Sequence, residues 1–391
     1  MGLILKPIFF IKMDRNVKVL LFISILFGLA LGIYEFIFPL YLNDRGISFQ
    51  NMGIIFSLSS IAMFFIRIHA GNLADVHGRK IFYSLSLLGS GIANFFTPFT
   101  GRLFPQTVLK SLREACAMVQ ESIHSVALFE TAKKKFLDFI GKTVGAQWIF
   151  QGLGALVAGM LLSLSGYKDT FLFNAGLLFL AFFTFVVFFK EPVFQKNIAP
   201  AIPVKKLYAL DFSRPLMIIT LSNFVFMIGM GASHSFIMPI FFLNKFQVSK
   251  GIVSIIMAVH RLLLGLPMLF VAWFMKEGTN LKRVYIWFVA IEGIAISVSA
   301  IIPQFLAATI VWLAHDYVGA AFWSPVQKTL IQQYSKPESR AYEVSKVAAF
   351  STLGQIIGPL IAGWLAGISI SAPFFFSGLV MVISALMLVP L

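Results

Sequence analysis

Gly71-Asn72-Leu73-Ala74-Asp75-Val76-His77-Gly78-Arg79-Lys80 is a strongly hydrophilic run set between two long apolar stretches, residues 51–70 and 81–99. Each flank is long enough to cross ~30 Å of hydrocarbon as a helix at 1.5 Å per residue. The run therefore reads as a short loop joining two membrane spans on one side of a bilayer. Solvation alone accounts for Asp75, Arg79 and Lys80, but it demands no order among them. The order present, GxLxDxxGRK, is more specific than a solvated loop requires.

Composition points the same way along the whole chain. The 391 residues are 59% hydrophobic and 12% charged, with 44 phenylalanines and a mean hydropathy of +0.88. A soluble protein of this length needs a polar exterior that so few charges cannot supply. Cys116 is the only cysteine, which excludes a disulfide framework and a thiolate metal cluster. No GxxxxGK[ST] loop occurs, so nothing points to ATP as the energy source.

Apolar segments of spanning length recur at 17–42, 51–70, 81–99, 105–130, 143–165, 171–189, 215–242, 250–273, 284–302, 304–333, 347–368 and 372–391. These are spans 1 to 12 below. Residues 1–16, interrupted by Lys6, Lys12 and Arg15, are too short and too charged to span, so span 1 is expected to act as an uncleaved insertion signal. Lys and Arg concentrate on the side that holds both termini, including Arg15, Lys18, Arg79, Lys80, Lys133, Lys134, Lys135, Lys205, Lys206, Lys282 and Arg283. The other side holds only Arg45, Arg102, Lys168, Lys245 and Lys250. Because cytoplasmic loops retain positive charge during insertion, both termini are expected in the cytoplasm of a plasma (inner) membrane protein. The net charge of +15 then belongs to an anionic lipid surface and not to nucleic acid.

The chain also repeats itself. Phe36-Ile37-Phe38-Pro39-Leu40 returns as Phe236-Ile237-Met238-Pro239-Ile240. Gln151, Gly154, Leu156, Ala158, Gly159 and Leu161 of span 5 return at the same spacing as Gln355, Gly358, Leu360, Ala362, Gly363 and Leu365 of span 11. An offset near half the chain implies two six-helix halves in parallel orientation, residues 17–189 and 215–391, joined by a Lys- and Pro-rich linker at 190–214. Small residues in spans 5 and 11 suit close helix packing in lipid. Gly354, Gly358 and Pro359 also leave span 11 able to bend.

The 71–80 run, with Gly71, Leu73, Asp75, Gly78, Arg79 and Lys80 all in register, resembles the loop after span 2 of the major facilitator superfamily (MFS) of secondary transporters. That resemblance implies an all-α membrane protein of twelve transmembrane helices in two pseudo-symmetric six-helix halves. It further implies that Asp75 caps the start of span 11, expected near Ser345, while Arg79 and Lys80 hold the cytoplasmic gate. Substituting Asp75→Asn is therefore expected to cut transport while leaving expression and folding largely intact; transport at the wild-type rate in that variant would remove the gating role. In this family a GxxxGP pattern in span 5 accompanies antiport. Here Ala155 follows Gly154, and the Gly-Pro pair stands in span 11, a departure that weakens an antiport assignment.

Ionisable residues far from a helix end are costly in lipid and mark pathways. Span 4 is richest, with Lys110, Arg113, Glu114, Glu121 and His124 inside an arc of about 100°. Lys110 is spaced to pair with Glu114, and Glu121 with His124. Glu35 in span 1 lies at a depth where it could meet Arg113. His234 of span 7, Arg261 of span 8, and His315 with Asp316 of span 10 lie at comparable depth. By the resemblance, spans 1, 4, 7 and 10 line a central cavity. Arg67 and His69 are close enough to an end to snorkel, and Glu292 of span 9 is expected outside the cavity. The six histidines are scattered over six segments without HxxxH spacing, so no metal site is expected, and no cofactor or catalytic nucleophile stands out.

The expectation is an alternating-access transporter, a monomer, that handles a small molecule without enzymatic chemistry. Proton-coupled export of lipophilic or cationic compounds suits the buried acids and phenylalanines. Uptake of a small anionic metabolite at Arg113 is the alternative. A sensor or assembly partner built on the same fold is the competing class, disfavoured because the chain ends at Leu391 with span 12.

Overall fold

A computed structural model describes residues 14–77, 79–132, 136–191, 212–268, 279–334 and 340–391. Most of the 190–214 linker, the first thirteen residues, Gly78 and Lys133–Lys135 lie outside the described residues, as does the side chain of Asp75. Among the described residues every regular element is helical, and each of the twelve apolar segments contains helix. Among the described residues, six helices are individually long and apolar enough to cross a membrane. Large side chains such as Phe104, Leu164, Trp287 and Ile301 stand exposed on the outside of the bundle, where lipid rather than water is the fitting solvent.

Span 1 is the helix Arg15–Asp44. Asp14 caps it by accepting the Asn16 N–H at 2.8 Å, which satisfies one of the unpaired donors of the first turn. Span 2 is Phe49–His77, span 3 Arg79–Phe96 and span 4 Leu103–Ala132. Spans 5 and 6 form one stretch, Phe136–Phe188, broken at Gly166 with φ +77°. That left-handed backbone is open to glycine at little cost, so the reversal between the two spans takes one residue. Span 11 is helical from Arg340, five residues before the expected start, to Ile368, and span 12 is Ala372–Leu386.

Among the described residues, two spans are interrupted along their length. Span 7 runs Arg214–Ser233, breaks, and resumes as Ile237–Phe246. Pro39 and Pro239 of the repeat each lack the N–H that would bond the carbonyl four residues earlier, Glu35 and Ser235. Span 1 carries its proline inside a continuous helix, whereas span 7 breaks. Span 10 runs Phe305–Ala314, widens to a π-turn over His315–Ala320, and continues as Ala321–Tyr334. A π-turn inserts an extra residue into the helical ladder and is enriched at functional sites. This one displays His315 and Asp316.

The repeat is visible as packing. Span 5 lies along span 1 and span 11 along span 7. Gly154 presses on the Leu29 carbonyl and Ile33, and its counterpart Gly358 presses on Ile228 and Gly231. Five residues further along, Gly159 meets Gly251 and Ser254 of span 8, the helix Lys250–Met268, while Gly363 meets Phe49 and Gln50 of span 2. One glycine of each pair thus builds a half and the other joins the halves, along two seams, span 2 with span 11 and span 5 with span 8. Small residues allow this main-chain approach in lipid. The Ser57 hydroxyl adds a hydrogen bond to the Ile356 carbonyl at 2.5 Å.

Polar contacts reinforce the same end of the bundle. Asp44 accepts the Tyr167 hydroxyl at 2.9 Å and pairs with Lys250 of the other half. Burial, and then the Asp44 carboxylate, push the Tyr167 hydroxyl above its ordinary titration range, so it stays a donor. At the opposite end, span 1 is tied to the close of span 6 through Asn16, which exchanges hydrogen bonds with the Lys190 backbone at 2.7 and 3.0 Å.

Candidate functional site

Between the halves lies a cavity of about 330 Å³, within the range of small-molecule sites. One wall comes from spans 1, 2, 4 and 5 through Tyr34, Glu35, Phe56, Lys110, Glu114 and Trp148. The other comes from spans 7 to 10 through His234, His260, Arg261, Glu292, His315 and Asp316.

On the first wall Glu114 holds two cations. Lys110 Nζ is 2.8 Å and Arg113 Nη1 2.9 Å from the same carboxylate oxygen. The Lys110 ammonium also lies 4.1 Å from the Phe56 ring centre, and the Arg113 guanidinium 4.3 Å from that of Tyr34. Aromatic faces offer partly negative surfaces to cations that lipid-side burial would otherwise leave short of solvation. Lys110 and Arg113 are only 5% and 3% exposed, so Arg113 is occupied from both sides.

Glu35 crosses to the other half. Its Oε2 accepts Arg261 Nη2 at 2.6 Å and Gln151 Nε2 at 2.5 Å, and the Arg261 guanidinium lies 5.1 Å from the Trp148 ring centre. The expected meeting of Glu35 with Arg113 is therefore replaced by a pair between halves. Depth along a helix allowed either partner; the closeness of spans 5 and 8 favours Arg261.

The second wall is a chain of imidazoles. His260 Nδ1 lies 2.7 Å from Asp316 Oδ2, and His234 Nε2 lies 2.9 Å from His315 Nε2. Ser233 Oγ lies 2.7 Å from His234 Nδ1, and His315 Nδ1 donates to the Trp312 carbonyl. Glu292, expected outside the cavity, is fully buried at its edge and accepts the Trp323 N–H. Its neighbour Gly319 has no room for a Cβ, which would strike the Glu292 side chain.

The span 4 stripe divides. Lys110 and Glu114 line the cavity with Arg113 buried behind them against Glu114 and Tyr34, but Glu121 is exposed. His124 bonds Tyr83 at 2.9 Å and Ser24 at 3.4 Å inside the N-terminal half. Those two hydroxyls are nearer than Glu121, so the expected Glu121–His124 pair does not form. At the loop end, the Arg79 and Lys80 N–H groups donate to Glu191 Oε1 at 2.6 and 3.1 Å, and Lys80 Nζ donates to the Phe189 carbonyl at 2.8 Å. Of the gating set, Arg79 and Lys80 thus bind the start of span 3 to the end of span 6. Gly78 lies outside the described residues, and the side chain of Asp75 likewise.

Sequence reading left out His260, Gln151 and Trp148. His260 is next to Arg261 on a helix where both could not be expected to face one cavity. Gln151 opens the repeated Gln-Gly pattern, a signal that could have placed it opposite Glu35.

A family model described as Major Facilitator Superfamily matches residues 20–312 and 219–391. The chain is 24% identical over 395 residues to the multidrug resistance protein MdtG of Enterobacter lignolyticus, covering 97% of this chain and 91% of that protein. It is 21% identical over 378 residues to the quinolone resistance protein NorA of Staphylococcus aureus, covering 93% of each. Its fold is similar to the crystal structure of the nucleoside transporter NupG, with a TM-score of 0.76 at 15% identity over 97% of this chain and 99% of that one.

Proposed function

Because the chain belongs to the major facilitator superfamily, and is thus an integral-membrane secondary transporter and not an enzyme, we propose that it exports lipophilic or cationic small molecules in exchange for protons. The observation that carries this reading is the Glu35–Arg261 pair, an ionisable contact that joins the two halves at the cavity. Protonating Glu35 cancels the attraction and frees the halves to rock; deprotonation restores it. The charged and titratable groups that face Glu35 are Arg261 of span 8, Lys110 and Arg113 of span 4, and the imidazole of His260.

The cavity suits such cargo. Tyr34, Phe38, Phe56 and Trp148 supply aromatic faces, which bind flat apolar rings and cations alike. Export also fits the resistance proteins that the chain is similar to. Anion uptake at Arg113 is disfavoured, since Glu114 and Tyr34 already occupy that guanidinium. Both termini in the cytoplasm, in a plasma membrane, complete the proposal on the charge asymmetry of the loops.

The test is flux of a fluorescent lipophilic cation such as ethidium in proteoliposomes, with and without an imposed pH gradient. Gradient-driven accumulation several-fold above protein-free liposomes is expected. Flux that ignores the gradient rejects proton coupling, and absence of flux for every cation in a panel rejects this cargo class.

A further inference from the structure

His234, His260 and His315 sit on three different spans, yet the fold gathers their rings around one point. Ring centres are 5.9 Å apart for His234 and His260, 4.9 Å for His234 and His315, and 5.4 Å for His260 and His315. The expectation that scattered histidines leave no metal-ligand cluster fails here for a topological reason. Spans 7, 8 and 10 converge on the cavity, and each carries one histidine at the same depth. Asp316 completes the group beside His260 and His315. From this convergence we propose that the wall formed by spans 7, 8 and 10 is a binding site for a first-row divalent transition-metal ion, with His234, His260, His315 and Asp316 as its ligands.

The distances allow it. One ligand atom from each of His260, His315 and Asp316 lies within 4.8 Å of the others, and His234 Nε2 is 2.9 Å from His315 Nε2. Ligand atoms around a tetrahedral ion with bonds of about 2.0–2.1 Å stand roughly 3.4 Å apart. The spacings within His260, His315 and Asp316 bracket that value, and His234 joins the group through its approach to His315.

Ring orientation allows it too. The Trp312 carbonyl accepts the His315 Nδ1–H, which leaves the Nε2 lone pair free beside His234 Nε2 and Asp316 Oδ1. Ser233 Oγ does the same service for His234 Nδ1, since a hydroxyl can donate or accept. An imidazole whose far nitrogen is held by a carbonyl or hydroxyl is the usual outer shell of a metal-bound histidine.

Unused capacity remains inside the cluster. His260 Nε2 and Asp316 Oδ1 are buried with no hydrogen-bond partner; the 3.3 Å approach of His315 Nε2 to Asp316 Oδ1 is not aligned as a hydrogen bond. Buried polar atoms in native proteins are seldom left so. Charge is also favourable, because Arg261, the nearest cation, is countered by Glu35. Three imidazoles and one carboxylate select zinc, cobalt, nickel or ferrous iron over magnesium or calcium, which prefer all-oxygen shells. The ion site stands independently of proton-coupled export, and its test reads binding alone.

Full-length protein without a histidine tag, stripped with chelator and held in detergent, is titrated with Co²⁺ and read by visible absorption and by bound metal per chain. One Co²⁺ per chain is expected, with the intense bands of four-coordinate cobalt, displaced by Zn²⁺ and indifferent to excess Mg²⁺. His315→Gln and Asp316→Asn are each expected to weaken Co²⁺ binding by about 10-fold or more, and His69→Gln, outside the cluster, to leave it unchanged. Substoichiometric binding, or only the weak bands of aquated cobalt, overturns the site, as does equal affinity in His315→Gln. Should a cluster variant fail to elute as a single species, the wild-type stoichiometry and spectrum decide.

Discussion

Replacing Glu35 with glutamine is expected to lower pH-driven transport by about 5- to 30-fold while leaving the yield of folded protein unchanged. The substitution keeps the shape of the side chain and its approach to Gln151 but removes the charge that faces Arg261 at 2.6 Å. Fully exposed pairs contribute ~0–1 kcal/mol, and breaking a buried one costs about 3–5 kcal/mol. With side-chain exposures of 39% for Glu35 and 17% for Arg261, this pair falls between those limits. We take about 1–2 kcal/mol, which is a factor of roughly 5–30 in the balance between conformations. The attraction removed acts between the halves, so the effect falls on their relative position and not on either fold. Arg261→Gln should reproduce it, and the double variant should be no worse than the singles. Additive effects in the double variant would show that the two residues act separately.

Gly363→Val is expected to reduce transport to the level of protein-free liposomes, with a monodisperse elution profile retained. A Cβ at Gly363 would overlap the Phe49 carbonyl and crowd Gln50 Cα at 3.1 Å, both in the other half. Overfilling a packed site costs about 1–3 kcal/mol where side chains can yield, and here the obstacle is main chain. The halves must part at this seam, and the conformation closed there drops out of the cycle. Gly358→Val supplies the contrast. Its Cβ would strike Ile228 and Gly231 inside its own half, so folded yield and thermal stability should fall instead. If Gly363→Val transports normally, the seam between spans 2 and 11 does not move.

Fold and site differed in how far the residues alone disclosed them. Spans follow from the length of apolar runs, a property local to each segment, and the glycine repeat announced its packing because backbone contact requires glycine at fixed intervals. Periodicity also placed Lys110, Arg113 and Glu114 on one face of span 4, where they are found. It could not say how far down that face the cavity extends, so Glu121 and His124 were grouped with residues they do not accompany. Contacts between spans carry no local signal at all. Glu35 and Arg261 are paired only because spans 5 and 8 bring the halves together, and the histidines of spans 7, 8 and 10 converge only because a break and a π-turn aim them inward. Each interruption begins at a histidine, His234 in span 7 and His315 in span 10, a residue type that by itself signals no helix break.

The paired glycines have a thermal consequence. A glycine has no rotamers to immobilise, so bringing Gly159 or Gly363 against its neighbour gives up almost no side-chain disorder. Opening and shutting such a joint is then nearly free of an entropic toll, and its equilibrium should shift little between cold and warm membranes. Ionic contacts such as Asp44 with Lys250, whose hydration changes with temperature, are left to set how the cycle responds to heat.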